Sequence, residues 1–236
     1  TGASNTAMGV NALGANTTAS QNCAFGDQAL AGNTTGANNT AVGHDALEAN
    51  TTANNNTAVG FEALKANTTG PNNVAVGNYN LTLNTTGDGN TALGYGVLQA
   101  NTTANNNTAV GRNAMTGNTL GNSNTVVGAY ALDASMDSDE NTAIGYQALS
   151  EITTGYANVA VGNKAGDNQT VGYHNVYVGD NAGNTHATGD RCIYVGRGTD
   201  CSGTAVDLEY VFGQGLQGKG TQTFFAGGNT GAYNEA

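Results

Sequence analysis

Tryptophan is absent from the 236 residues, proline occurs once, and phenylalanine only five times. Large side chains of this kind fill the interior of an ordinary globular domain, so a thick core is excluded. Positive charge is scarce as well: six Lys and Arg stand against seventeen Asp and Glu, a formal net charge of −11. With no basic patch to neutralise phosphates, nucleic acid and anionic membrane are excluded as partners. No apolar run approaches the length of a membrane span. Three cysteines make no disulfide framework. Cys192 and Cys201 are near enough in sequence to pair, which the sequence leaves open, and Cys23 is expected to be a small buried residue. No signal peptide is visible. The chain opens Thr1-Gly2-Ala3-Ser4-Asn5, without an initiating Met, as expected of a processed product or a piece of something longer.

What is present is glycine, asparagine, threonine and alanine in strict register. Thirteen glycines, from Gly9 to Gly213, each follow the last by 17 residues with no insertion. Four residues before each glycine stands Asn, from Asn5 to Asn175, and only Cys192 and Glu209 depart from this. A polar, aromatic-poor chain also suits disorder, but disordered segments hold no such register. A fixed period marks a repeat architecture in which thin layers stack and each buries its neighbour. Seventeen residues are too few for two helices and suit one coil of two short strands and two turns. The unit reads N-T-A-V-G-x-x-A-L-x-x-N-T-T-G-x-N. In a strand its Thr and Val share one face and the Ala between them points to the other. β-branched residues favour such strands, and parallel stacking implies a rise of about 4.8 Å per coil. The expected fold is all-β, a parallel β-solenoid (β-roll) of 17-residue coils. Its structural positions include Asn39, Gly43, Asn56, Gly60, Asn73, Gly77, Asn90, Gly94, Asn107 and Gly111. Glycine serves where the chain turns, and stacked Asn side chains can form ladders.

Both faces of the strand are apolar, yet one coil has one interior. The Ala column, Ala41, Ala58, Ala75, Ala92 and Ala109, is therefore expected to pack closely on another copy of the chain. A homotrimer about a central axis would satisfy both faces, although burial alone does not fix the number three.

The segment Asn56-Thr57-Ala58-Val59-Gly60-Phe61-Glu62-Ala63-Leu64 resembles the head repeat of YadA-type trimeric autotransporter adhesins. The longer Asn-Thr-Thr-Gly form is similar to repeats of phage tail fibres. The stretch from Phe224 to Asn234 resembles what precedes the self-cleaving intramolecular chaperone of tail spikes and fibres. The resemblance implies a left-handed, trimeric β-roll that attaches to a host surface, with a chaperone removed after assembly. It also implies an extracellular place, on a virion tail fibre or a cell surface.

From about residue 165 the unit changes. Ala-Leu becomes Ala-Gly at 165–166 and 182–183, and Tyr177 and Tyr194 replace Ala. This divides the chain into regular coils (1–164), variant coils (165–213) and a C-terminal cap or tip (214–236). A cap covers the exposed strand edge of a solenoid. A tip would use Tyr177, Tyr194, Phe224 and Phe225 to bind a host glycan or protein. Both readings stay open. The opposite end has no cap, so end-to-end docking with another fibre segment is expected there. One turn gathers Asp133, Asp137, Asp139 and Glu140, a weak candidate for Ca²⁺, but its spacing fits no known loop and a solvated turn is the simpler reading.

No catalytic constellation is found: His44, His174 and His186 fall at unrelated places in the coil. No cofactor motif opens a helix. The expectation is a fibre or adhesin segment and not an enzyme. A self-stacking filament, an ice-binding solenoid and a polysaccharide-degrading spike are the alternatives. Asn16, Asn33, Asn50, Asn67, Asn84 and Asn101 each lie in a formal glycosylation sequon, and as turn residues they need no such role.

Overall fold

The computed structural model describes residues 2–227, which contain strands and turns and no helix. The chain divides into two compact units, Thr1–Leu120 and Gly121–Ala236. The first holds β1 (Thr6–Met8), β2 (Cys23–Phe25), β3 (Thr40–Val42), β4 (Thr57–Val59), β5 (Val74–Val76), β6 (Thr91–Tyr95) and β7 (Thr108–Arg112). Each pairs in parallel with the next, as β3 does with β4 through Thr40↔Thr57, Ala41↔Ala58 and Val42↔Val59. The partner always stands one full repeat further along, so every coil lies upon the one before it. The expected parallel β-solenoid is what the chain forms.

The second unit repeats the arrangement with β8 (Thr125–Val127), β9 (Thr142–Ile144), β10 (Val159–Val161), β11 (Val176–Val178), β12 (Ile193–Val195), β13 (Tyr210–Phe212) and β14 (Phe224–Ala226). Its last pairing sets Tyr210 against Phe224, so the final coil falls short of the full repeat. The loss of period after Gly213 is thus a shortened coil that still adds a strand. The remainder of the stretch that resembles a pre-chaperone segment, from residue 228 on, lies outside the described residues.

Each coil contains one strand, where two were expected. The second apolar segment is a run of turns in which Leu30, Leu47, Leu64 and Leu81 hold φ between 51° and 54°. Leucine is rare in this left-handed region, because its Cβ crowds the following carbonyl. Coil-to-coil bonding compensates. Leu47 N donates to Ala63 O at 3.0 Å, Ala49 N to Lys65 O at 3.0 Å and Thr51 N to Thr68 O at 3.0 Å. The segment is therefore bonded to its neighbour like a strand while its backbone turns.

The interior is one side chain deep. In the third coil Ala41, Ala46 and Leu47 are fully buried, and their equivalents repeat this in coil after coil. Burying one leucine contributes about 1.5–3 kcal/mol, so the apolar term accumulates one leucine at a time. Close stacking demands the glycine column. A Cβ on Gly43, whose φ is +136°, would lie 2.7 Å from the carbonyl carbon of Gly60. Any side chain there pushes two coils apart.

Two columns of buried asparagine join the coils. In the first, each side chain reaches two backbone groups that the sheet leaves unpaired. Asn73 Nδ2 donates to Gly87 O at 2.8 Å, and Asn73 Oδ1 accepts from Asn90 N at 2.9 Å. Asn39, Asn56 and Asn90 in the first unit, and Asn141 and Asn158 in the second, do the same. The second column is an amide ladder running from Asn33 through Asn50, Asn67, Asn84 and Asn101 to Asn118, each side chain donating to the one before at 2.7–3.1 Å. The sequon asparagines from Asn33 to Asn101 are members of this ladder and fully buried, so glycan attachment would require the coil to open.

Removing Asn73 from the first column orphans the buried N–H of Asn90, while Gly87 O keeps the bond it accepts from Asn84 Nδ2 at 3.1 Å. Asn73→Ala is expected to cost about 1–3 kcal/mol, the penalty for one orphaned buried group. Asn38→Gly, in an exposed amide row where Asn38 donates to Asn55 at 3.2 Å and holds a φ of 60° that glycine adopts without strain, is expected to cost under about 0.5 kcal/mol. Urea titrations of the two variants check this, and equal costs would show that the buried column is not what joins the coils.

Candidate functional site

With the strands in place, the two faces of the sheet can be assigned. Ala41, Ala58, Ala75, Ala92 and Ala109 are fully buried within their own chain. This corrects the expectation that they meet another copy. In the first unit a methyl group stands opposite leucine across a thin interior, and the small residue marks the inside of the coil. The face turned outward is made of the Thr and Val columns. On it Val42, Val74 and Leu93 remain 37%, 37% and 47% exposed. Cys23 stands on this outward face in β2 and is half-buried, not interior as expected.

The aromatic residues assigned to a tip divide. Phe224 is exposed and Phe225 buried, while Tyr177 and Tyr194 are fully buried and present nothing to a ligand. Their rings stack at 5.7 Å and occupy space opened by glycine. A Cβ on Gly166 would come within 2.8 Å of the Tyr177 ring, and one on Gly183 would collide with it outright. Ala-to-Tyr and Leu-to-Gly are two halves of one exchange of volume across the interior.

Around these rings lies a buried polar group of the second unit. His186 Nε2 donates to Val206 O at 2.9 Å, which leaves Nδ1 to accept from the Tyr177 hydroxyl at 2.6 Å. Tyr194 donates to Glu209 Oε2 at 3.0 Å, and Gly220 N donates to Glu209 Oε1 at 2.7 Å. Cys192 takes the place of asparagine, its thiol donating to Val206 O at 3.1 Å. Burial lowers the His186 pKa and raises those of Tyr177 and Cys192, and it pushes the Cys201 thiol up to about 11. Cys192 and Cys201 are both free thiols. Every ionisable side chain named here is buried and committed to a neighbour inside the coil.

The acidic turn is spread out. Asp139 Oδ1 accepts from Asn122 N at 2.6 Å, Asp133 is half-buried with its carboxyl pKa raised by burial, and Asp137 and Glu140 are not drawn together with them. Among the described residues no group of three His, Cys, Asp or Glu is placed to hold a metal ion.

A feature that sequence reasoning missed lies on one flank of the first unit. A groove of about 580 Å³ crosses the first five coils, lined by Gly32, Ala49, Ala66 and Leu83 in one column, by Ala31, Glu48, Lys65 and Thr82 in the next, and by Asn11 and Gln28. Beside it His44 stacks on Phe61 with centroids 5.4 Å apart, Phe61 meets Tyr79 edge-on at 5.3 Å, and Tyr79 meets Tyr95 at 5.7 Å. Lys65 Nζ donates to Asp45 at 2.8 Å and Glu62 at 3.1 Å, with Glu48 at 3.7 Å. Those hydrogen bonds, to Asp45 first, hold its pKa above the usual lysine value. The signal was present in the sequence, since all four rings occupy the first two places after the repeat glycine, but those places vary and the repeat does not.

Comparison with protein-family models, curated proteins and solved structures finds no match to this chain.

His186 makes the stability of the second unit depend on pH. The folded state holds it neutral, while in the unfolded chain it titrates near 6.5. Its contribution is complete above that value. It is lost as pH falls, because the unfolded chain then takes up a proton that the folded one refuses. Thermal unfolding between pH 7.5 and 5 should show a falling midpoint in the native protein and a flatter dependence in His186→Gln. Identical slopes would remove His186 from this role.

Proposed function

We propose that the chain is a structural segment of a fibre or adhesin, non-catalytic and extracellular, that assembles with copies of itself and attaches to a host surface. One observation carries this: a single outward sheet face of β-branched and apolar residues, repeated in every coil, beside an interior already complete without a partner. A second copy presents the same columns at the same spacing of about 4.8 Å, so two such faces are matched in period by construction. Association in parallel about a common axis, as a homotrimer, agrees with the resemblance to tail-fibre and adhesin-head repeats. The assembly surface in this reading is the Thr/Val face, and the buried Ala column stays internal to each chain. Attachment through many equivalent coils would gain strength by avidity.

Light scattering on the native protein should give a mass of three times 23.6 kDa. Val42→Glu combined with Leu93→Glu alters only outward positions, so the variant is expected to remain folded and become monomeric. A folded monomer in the native protein would overturn the assembly.

Cys23 reports on the same face. In the assembly its thiol should resist an aqueous thiol reagent that labels it readily in the double variant. Equal labelling rates would show that the face is open in both.

A further inference from the structure

The flank groove of the first unit has the features of a polymer-binding site, and we propose that it binds a neutral linear polysaccharide. Three observations carry the proposal. The first is shape. The groove runs across five successive coils, a span of four spacings or about 19 Å, and its floor is kept low by Gly32, Ala49 and Ala66 until Leu83 takes that place in the fifth coil. Its volume of about 580 Å³ falls within the range of ligand sites.

The second is the chemistry of the walls. Asn11 and Gln28 offer amide groups one coil apart, and a carbohydrate presents hydroxyls along its whole length. The rings stand outside the groove lining: Asp45 and Glu62, which bond Lys65 at its edge, directly follow His44 and Phe61 in the chain, so the aromatic row runs alongside the wall. Phe61 and Tyr95, 37% and 50% exposed, extend that row. An aromatic face matches the C–H face of a sugar ring, as an amphipathic surface meets another of its kind.

The third observation narrows the ligand. Lys65 is the cation of the groove, and Asp45, Glu62 and Glu48 surround it, leaving an excess of negative charge. An anionic glycan or a phosphate would be repelled. An extended peptide fares no better, because adding a strand requires free backbone groups. Here Gly32 N donates to Glu48 O at 2.8 Å, Ala49 N to Lys65 O at 3.0 Å and Ala66 N to Thr82 O at 3.0 Å, so the floor is already bonded coil to coil. A neutral polymer that bonds to side chains and lays its apolar face on rings satisfies all three constraints.

The proposal deepens the attachment reading and rests on it only in requiring that the segment meets a surface; it places contact along the flank of the first unit. The test uses the full chain with neutral linear oligosaccharides of glucose, galactose, mannose and N-acetylglucosamine in a series of lengths up to the hexasaccharide, and with anionic oligogalacturonates of the same lengths, followed by calorimetry and saturation-transfer NMR. At least one neutral series should bind, with affinity rising with oligomer length until the groove is filled. Phe61→Ala with Tyr79→Ala should weaken it about tenfold or more, and Ala66→Leu, which fills the floor, should abolish it with the circular dichroism unchanged. Absence of binding across the panel, binding confined to anionic glycans, or binding that survives both variants would overturn the site. The solution mass is read on the same samples. A trimer that binds no glycan sinks this inference alone, and a monomer that binds one sinks the assembly alone.

Discussion

Within each unit the stacking of coils depends on a buried carboxamide that serves two layers at once. A parallel sheet of such short strands leaves much of the coil backbone without a partner in the ladder, and buried N–H and C=O groups must be satisfied. Asparagine at one place per coil supplies a donor and an acceptor at the right separation: its amide reaches a carbonyl in the next turn and its oxygen receives the following asparagine's N–H. The leucine column adds cohesion without direction, since apolar contact is indifferent to small sliding. The asparagine column is directional, and it fixes the register and with it the length of the coil.

Where this device changes, the interior changes with it. In the last coils Cys192 and Glu209 replace asparagine, and the contacts become longer and softer, with Glu209 N directed to the Cys192 sulfur at 3.4 Å. At the same point the aliphatic interior gives way to stacked tyrosines, with glycine opposite and His186 and Glu209 taking up the hydroxyls. The second unit thus passes from cohesion by repetition to cohesion by a particular set of side chains, which is how the end of a repeat array commonly differs from its middle.

The fold was legible because its cause is periodic: the glycine, asparagine and Thr-Ala-Val columns can be counted without knowing the structure. What escaped was whatever periodicity does not encode. The Ala-Leu segment looked like a second strand because its apolar pattern is strand-like, and only the positive φ of Leu30 and Leu47 distinguishes it. The Ala face was turned the wrong way because small size suits both close approach to a partner and a cramped interior; coil thickness decides between them, and no column reports thickness. Tyr177 and Tyr194 looked like ligand contacts because a large polar-tipped ring usually seeks the surface, whereas their meaning lay in Gly166 and Gly183. The flank groove was hidden for the opposite reason. Its residues occupy the variable places that a search for repetition averages away.

Within the first unit every coil from β1 to β7 finds its partner one repeat away, with no insertion. Each layer is therefore a whole number of codons, and its contacts reach only the layers beside it. Duplication or loss of one such block in the gene would leave the neighbouring interfaces chemically unchanged. Length in this protein is a quantity that recombination can alter in single steps without the fold having to be solved again.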